Sequence, residues 1–155
     1  HAFAALHGEP RLIIFGDGPE SGALRALCAE LGLYSRVSFR GHCPREELAE
    51  AYAAADCFVL ASRSETFGVA YIEAMAAGLP VIATRCGGPE DFVTEENGIL
   101  IPVDDEDALT GAMEHMMLRR EDYDSAAISA DIRRKFAPET IAARLTELYE
   151  GVLSC

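Results

Sequence analysis

The chain has 155 residues, the size of one ordinary domain and too short for two large ones. Half of the residues are apolar and a quarter are charged, enough to bury roughly 70% of the surface that the unfolded chain exposes, which excludes disorder as the main state. Thirteen basic against 26 acidic side chains give a formal charge of −13, which repels nucleic-acid backbones and anionic lipid surfaces and disfavours both as partners.

The first residues, Ala2 to Leu6, read as the end of a helix with no strand before it, so the chain is expected to start part-way into an alternating unit. From there short β-rich runs alternate with helix-period segments. Strands are expected over residues 11–15, 36–40, 57–60, 81–84 and 98–101. Between them Leu24, Leu27, Cys28 and Leu31 repeat at helical spacing, as do Leu48, Tyr52 and Ala55, each set predicting a helix with one buried face. Pro44 suits the first turn of the second of these helices, where its missing N–H has no intrahelical partner and Glu46 and Glu47 face the positive end. Asp104 can cap a later helix that carries Leu109, Ala112, Met113 and Met116 on one face. Helical segments then run from about Tyr123 to Lys135 and from Pro138 to Leu153. The last carries an apolar stripe of Ile141, Leu145, Leu148, Tyr149 and Val152, and the two segments together read as a terminal brace across the domain. Strands alternating with helices predict an α/β fold: a doubly wound, Rossmann-like parallel sheet with helices on both faces.

The opening HAFAALHGEP lacks the charged-then-apolar order of an export leader, and the longest apolar run, residues 69–83, is broken by Glu73, Gly78 and Pro80. Five cysteines, Cys28, Cys43, Cys57, Cys86 and Cys155, form an odd set without a CxxC pair. They read as free thiols in a reducing, cytoplasmic setting. His1, His7, His42 and His115 show no metal-ligand spacing, so no metal is expected.

Three strand-to-helix junctions carry candidate chemistry. Gly16-Asp17-Gly18-Pro19 allows close approach of an anion to backbone and a helix start, or is simply a tight turn. In residues 64–73, SETFGVAYIE, Thr66 is expected to cap a helix beginning near Phe67 or Gly68, placing the N–H groups of Gly68 and Val69 in a seat for phosphate. Glu65 falls on the loop at the strand's carboxyl end, where open α/β sheets bind ligands. Glu73 is the only carboxylate between Thr66 and Thr84 on a segment read as largely buried. It therefore needs donors, either the two hydroxyls of a ribose or a structural Arg or backbone amide. At Thr84-Arg85-Cys86-Gly87-Gly88-Pro89-Glu90 the glycines admit a sugar or phosphate, Glu90 reads as a first-turn charge and Cys86 as an inert thiol.

The succession GDGP, RVSFRG, ELAEAYAAADCFVLASRSETFG, EAMAAGLPVIATRCGG and ENGILIP resembles the C-terminal, nucleotide-sugar-binding domain of retaining glycosyltransferases of family 4, which have the GT-B fold. The likeness extends to the closing FAPETIAARLTELYEGVL. It implies that Glu65 contacts donor-sugar hydroxyls and acts at the catalytic centre, and that Glu73 holds the ribose hydroxyls. Phe67, Gly68 and Val69 would receive the diphosphate, Gly16 would line the donor pocket, and Arg40 would lie where the backbone reads the base. The donor would be a UDP- or GDP-sugar carrying a hexose, and no cofactor or metal is implied. The family's upstream Gly-Arg and Lys-Gly, whose cations neutralise the diphosphate, are not in this sequence, and neither is the N-terminal acceptor domain. The resemblance thus implies residues 1–155 are one donor-binding domain, inactive alone, with any membrane contact left to the other domain. A sugar-nucleotide epimerase of the same fold, a non-catalytic nucleotide-binding module and a flavodoxin-like domain with a structural Glu73 remain alternatives. A strand lacking beside the first one would expose a sheet edge and favour a homodimer.

Overall fold

The computed structural model describes residues 1–153, and Cys155 lies outside them. In chain order the elements are α1 (Ala2–Ala5), β1 (Leu12–Phe15), α2 (Ser21–Glu30), β2 (Val37–Gly41), α3 (Arg45–Ala54), β3 (Phe58–Leu60), α4 (Val69–Ala76) and β4 (Val81–Thr84). A 3₁₀ turn at Gly88–Asp91 leads to β5 (Gly98–Ile101), α5 (Glu106–Arg119), a second 3₁₀ turn at Arg120–Asp122, α6 (Ser125–Phe136) and α7 (Pro138–Leu153). The five expected strands are present, all parallel, within one residue of their expected ends. The fold is the anticipated α/β arrangement with helices on both faces.

The strands form two ladders rather than one sheet: β1 pairs with β2, and β3, β4 and β5 pair in that order. The register shows which peptide groups the separation leaves unpaired. Leu12 N–H donates to Arg36 O at 2.8 Å and Gly16 N–H to Gly41 O at 2.7 Å, so the peptide groups of Arg11, Ile13 and Phe15 point away from β2. Phe58 N–H donates to Pro80 O at 3.0 Å, so those of Cys57, Val59 and Ala61 point away from β4. Each inner edge thus carries alternate donors and acceptors without a neighbouring strand among the described residues.

The core surrounds β4. Tyr71, Met75, Val81, Ile82, Met116 and Ile132 are fully buried, and each large apolar side chain removed from water contributes about 1.5–3 kcal/mol. α1 packs on α5 and adds Ala2 and Leu6 to this cluster. Between Leu12 and Gly41 only Cys28 and Leu33 are buried. The expected buried stripe of α2 is accordingly realised only in part: Leu24 and Leu31 stay exposed, because a two-stranded ladder gives the helix little to cover.

Two further expectations are corrected. The cap of α5 is Asp105, whose carboxylate accepts from Ala108 N–H at 2.8 Å; Asp104 adopts a positive φ of 57° and instead pairs with Arg63 at 2.8 Å. The brace expected of the two closing helices holds for one of them only: Leu145, Leu148, Tyr149 and Val152 of α7 are all exposed, and α7 packs chiefly against α6. The bracing helix is α6, which buries Ile128 and Ile132 and lies along α4.

Candidate functional site

The carboxyl ends of β3 and β4 are tied together before any ligand is considered. Thr84 Oγ1 donates to Ser62 O, and the buried Tyr71 hydroxyl donates to Leu60 O. Burial pushes the Tyr71 phenol up to about 12, keeping it protonated as a donor. Beyond this tie the two strand-end loops run side by side as a further bridge between Glu65 and Gly87: Glu65 N–H donates to Cys86 O at 3.2 Å, and Gly88 N–H to Glu65 O at 3.0 Å. Only glycine fits this contact. A Cβ on Gly88 would stand 2.6 Å from the backbone of Phe67. The second and third glycine-bearing junctions of the sequence therefore form one surface.

On that surface Glu65 is half-buried and its Oε1 accepts from Ser62 Oγ at 2.7 Å, which fixes the carboxylate and leaves its other oxygen without a protein partner. The helix that follows starts later than expected. Its cap is Gly68, in a left-handed conformation (φ 84°), not Thr66; α4 begins at Val69 with no side-chain capping bond. Tyr71 and Ile72 donate to Gly68 O, so the N–H groups of Val69 and Ala70 are the ones the helix leaves open to an incoming acceptor. A helix N-terminus with free N–H groups and a positive dipole end attracts anions.

Glu73 lies one turn along and is exposed, contrary to the burial expected of it. It belongs to the outward stripe of α4 with Val69 and Ala77, while Tyr71, Ala74 and Met75 occupy the buried side. A short helix needs only one face in the core, so an apolar sequence alone does not bury every position. Burial, with the charges of Glu73 and Cys43, pushes the Tyr52 phenol of α3 up to about 12.

The remaining candidates form a separate group on the first ladder. Gly16 and Gly41 bridge at the carboxyl ends of β1 and β2, Asp17 Oδ1 accepts from Gly18 N–H at 2.9 Å, and the Arg40 side chain is exposed beside them. Among the described residues no hydrogen bond joins this group to Glu65 or Glu73. Glu90 does occupy the first-turn role read for it, accepting from Gly87 N–H at 3.2 Å and facing Arg85 at 3.8 Å. Asn97 is structural: it accepts from Thr94 N–H at 2.7 Å and donates to Phe92 O at 3.0 Å. Lys135 is held by Asp131 at 2.7 Å on α6. Ser62, which orients Glu65, was not singled out in the sequence; its position three residues ahead of Glu65 is the only available sign.

A groove of about 660 Å³ lies elsewhere, between β5 and α5, lined by Ile99, Leu100, Ala112, His115 and Tyr123. Of the three candidate junctions it takes in only Arg85, and neither Glu65 nor Glu73 lines it. Among the described residues no three His, Cys, Asp or Glu side chains gather in a metal-holding group, and no helix is long and apolar enough to cross a membrane.

Comparison with known proteins bears on this face. Residues 1–132 match the family described as glycosyl transferases group 1. A GDP-mannose-dependent alpha-mannosyltransferase of Mycobacterium tuberculosis is 37% identical over 150 residues, covering 96% of this chain and 38% of that protein. Sucrose-phosphate synthase from Thermosynechococcus elongatus superimposes with a TM-score of 0.83 at 33% identity over 99% of this chain and 41% of that one. HepE of Anabaena, solved in complex with UDP-glucose, superimposes with a TM-score of 0.84 at 25% identity over 97% of this chain and 43% of that one. The chain thus spans about two fifths of the length of these relatives. With its parallel α/β ladders and laced glycine loops in place, the chain belongs to the glycosyl transferases group 1 family and has the fold of its GT-B members.

Proposed function

We propose that this domain binds the nucleotide-diphosphate sugar of a retaining glycosyltransferase that moves a hexose from a UDP- or GDP-sugar to an acceptor held by a second, upstream domain. The observation that carries the proposal is the single surface formed by Glu65, residues 67–70 and the Gly87-Gly88 loop, with Glu73 one turn further on. In this reading the open N–H groups of Val69 and Ala70 receive the diphosphate, and the exposed Glu73 accepts from both ribose hydroxyls. Glu65, pre-oriented by Ser62, accepts from sugar hydroxyls at the reacting end, where it is the catalytic carboxylate. Gly16 and Arg40 flank the base. Relatives named for GDP-mannose and for a complex with UDP-glucose support both donor classes.

The catalytic contribution of this half is stabilisation of the departing nucleoside diphosphate. Charge develops on the leaving phosphate as the glycosidic bond breaks, and fixed N–H dipoles aimed at it lower the barrier without reorganising. In a chain of charge −13 these dipoles are the local compensation, joined by cations of the second domain, and no metal or cofactor enters the scheme. Cys28, Cys43, Cys57 and Cys86 carry free thiols, which supports a reducing, cytoplasmic setting. The unfilled inner edges of β1 and β3 support either strand addition from the upstream domain or a homodimer, while any membrane contact belongs to the upstream domain.

A thermal-shift panel of UDP, GDP and ADP, with and without attached hexoses, tests the reading. One nucleotide class at about 100 times its Kd adds about 2.7 kcal/mol, a shift of about 5–10 °C at this size, and Glu73→Ala abolishes it. An equal shift in the parent chain and Glu73→Ala removes Glu73 from the site.

A further inference from the structure

Phe67 sits in the loop that leads into α4, and its ring is nearly half exposed, at 46%. It is nevertheless held. Its ring meets that of Phe136 edge to face, with centroids 5.5 Å apart at 88°, and that of Phe92 at 6.5 Å and 61°. Phe92 and Phe136 close the triangle at 5.8 Å and 87°.

Phe136 is the last residue of α6 and reaches this place by the way α6 is anchored. The start of α6 lies at the far end of α4: a Cβ on Gly78 would stand 2.9 Å from Ser125 O. Further along, Ser129 Oγ donates to Ala76 O at 2.7 Å, and Arg133 Nε and Nη2 donate to the same carbonyl at 3.2 and 3.1 Å. The two helices are therefore antiparallel. At 1.5 Å per residue the twelve residues of α6 extend about 18 Å and the eight of α4 about 12 Å, so α6 delivers its last residue past the N-terminal end of α4. Phe67 stands at that end.

We infer that Phe136 is a positioning residue for the donor diphosphate. Its ring clamps that of Phe67 while Gly88 stands close against the Phe67 backbone, and together they fix the direction of the Val69 and Ala70 N–H groups. The clamp is needed because Gly68 is the hinge of this segment: a glycine with positive φ has no Cβ to restrict it, and no side chain caps α4. Each N–H group left free to wander costs ordering when the diphosphate arrives. This inference rests on the donor-site reading given above.

The test uses the 155-residue chain and its variants Phe136→Ala and Phe136→Tyr, with UDP and GDP as diphosphate probes and uridine and guanosine as probes without phosphate. Calorimetry on Phe136→Ala is expected to show about three- to tenfold weaker binding of the diphosphate, with the nucleoside unchanged and Phe136→Tyr restoring the parent value. Without ligand, ¹⁵N relaxation is expected to show order parameters at Phe67, Gly68 and Val69 falling from about 0.85 to below about 0.6 in Phe136→Ala, with residues 71–75 unchanged. Order parameters that stay the same, or fall equally throughout α4 and β4, overturn the clamp while leaving the donor site standing. Equal losses for nucleoside and diphosphate also overturn it. A parent chain that binds neither diphosphate overturns the donor-site reading, and the diphosphate role of Phe136 with it.

Discussion

Glu73 shows how far a single residue could be read. Its isolation as the one carboxylate in an apolar helix drew attention to it, and the structure places it beside the Glu65 surface, but on the outward stripe of α4 rather than in the core. Sequence periodicity over eight residues cannot tell which apolar positions a helix turns outward when a neighbouring ladder is narrow. Thr66 was misread for a related reason: a threonine before a helix resembles a cap, while the turn is made by the left-handed Gly68 two residues later. Tyr52, beside Glu73, carries a consequence for pH. Its phenol titrates near 10 in the unfolded chain and at about 12 in the folded one, so the folded form holds its proton longer. The stability this gives is fully present below pH 10 and is lost as pH rises towards 12. Chemical denaturation between pH 9 and 12 is expected to show a shallower alkaline decline in Tyr52→Phe than in the parent chain; identical slopes would mean that Tyr52 is not the group concerned.

At the scale of elements, the strands were legible because β-rich runs bounded by glycine and proline leave little alternative. Their grouping was not. Nothing in residues 12–15 or 58–60 announces that among the described residues no strand pairs between them. Both terminal helices are present, but only one of the two braces the domain. Both α6 and α7 carry apolar stripes, and only the tertiary contacts reveal that α6 buries Ile128 and Ile132 against α4 while the stripe of α7 faces outward. The outcome matters for association, because the inner edges of β1 and β3 expose the peptide groups of Arg11, Ile13, Phe15, Cys57, Val59 and Ala61. Unpaired edges template pairing with another chain. Light scattering of the isolated chain at rising concentration is expected to show a monomer–dimer equilibrium. A strictly monomeric mass at high concentration would remove the homodimer and leave strand addition within one polypeptide as the use of these edges.

For the whole molecule, the membership of the glycosyl transferases group 1 family was visible in the order of its loops, and the structure adds why that order matters. Glycine junctions separated by about twenty residues in sequence meet because parallel strands place every such junction at one end of the fold. What the sequence did not reveal is how open that end is. The groove between β5 and α5 takes in Arg85 but neither Glu65 nor Glu73, and the proposed donor surface is a face that a second domain would close. The strong acidity of the chain makes the choice of surface decisive, since an anionic donor is tolerated only where N–H dipoles converge. The most direct measurement is amide chemical-shift mapping of the ¹⁵N-labelled chain during titration with UDP and with GDP. Saturable changes confined to Gly16, Gly41, residues 65–73, Gly87 and Gly88 are the predicted result; changes centred on Ile99, Ala112 and His115, or no saturable change with either nucleotide, would contradict the account.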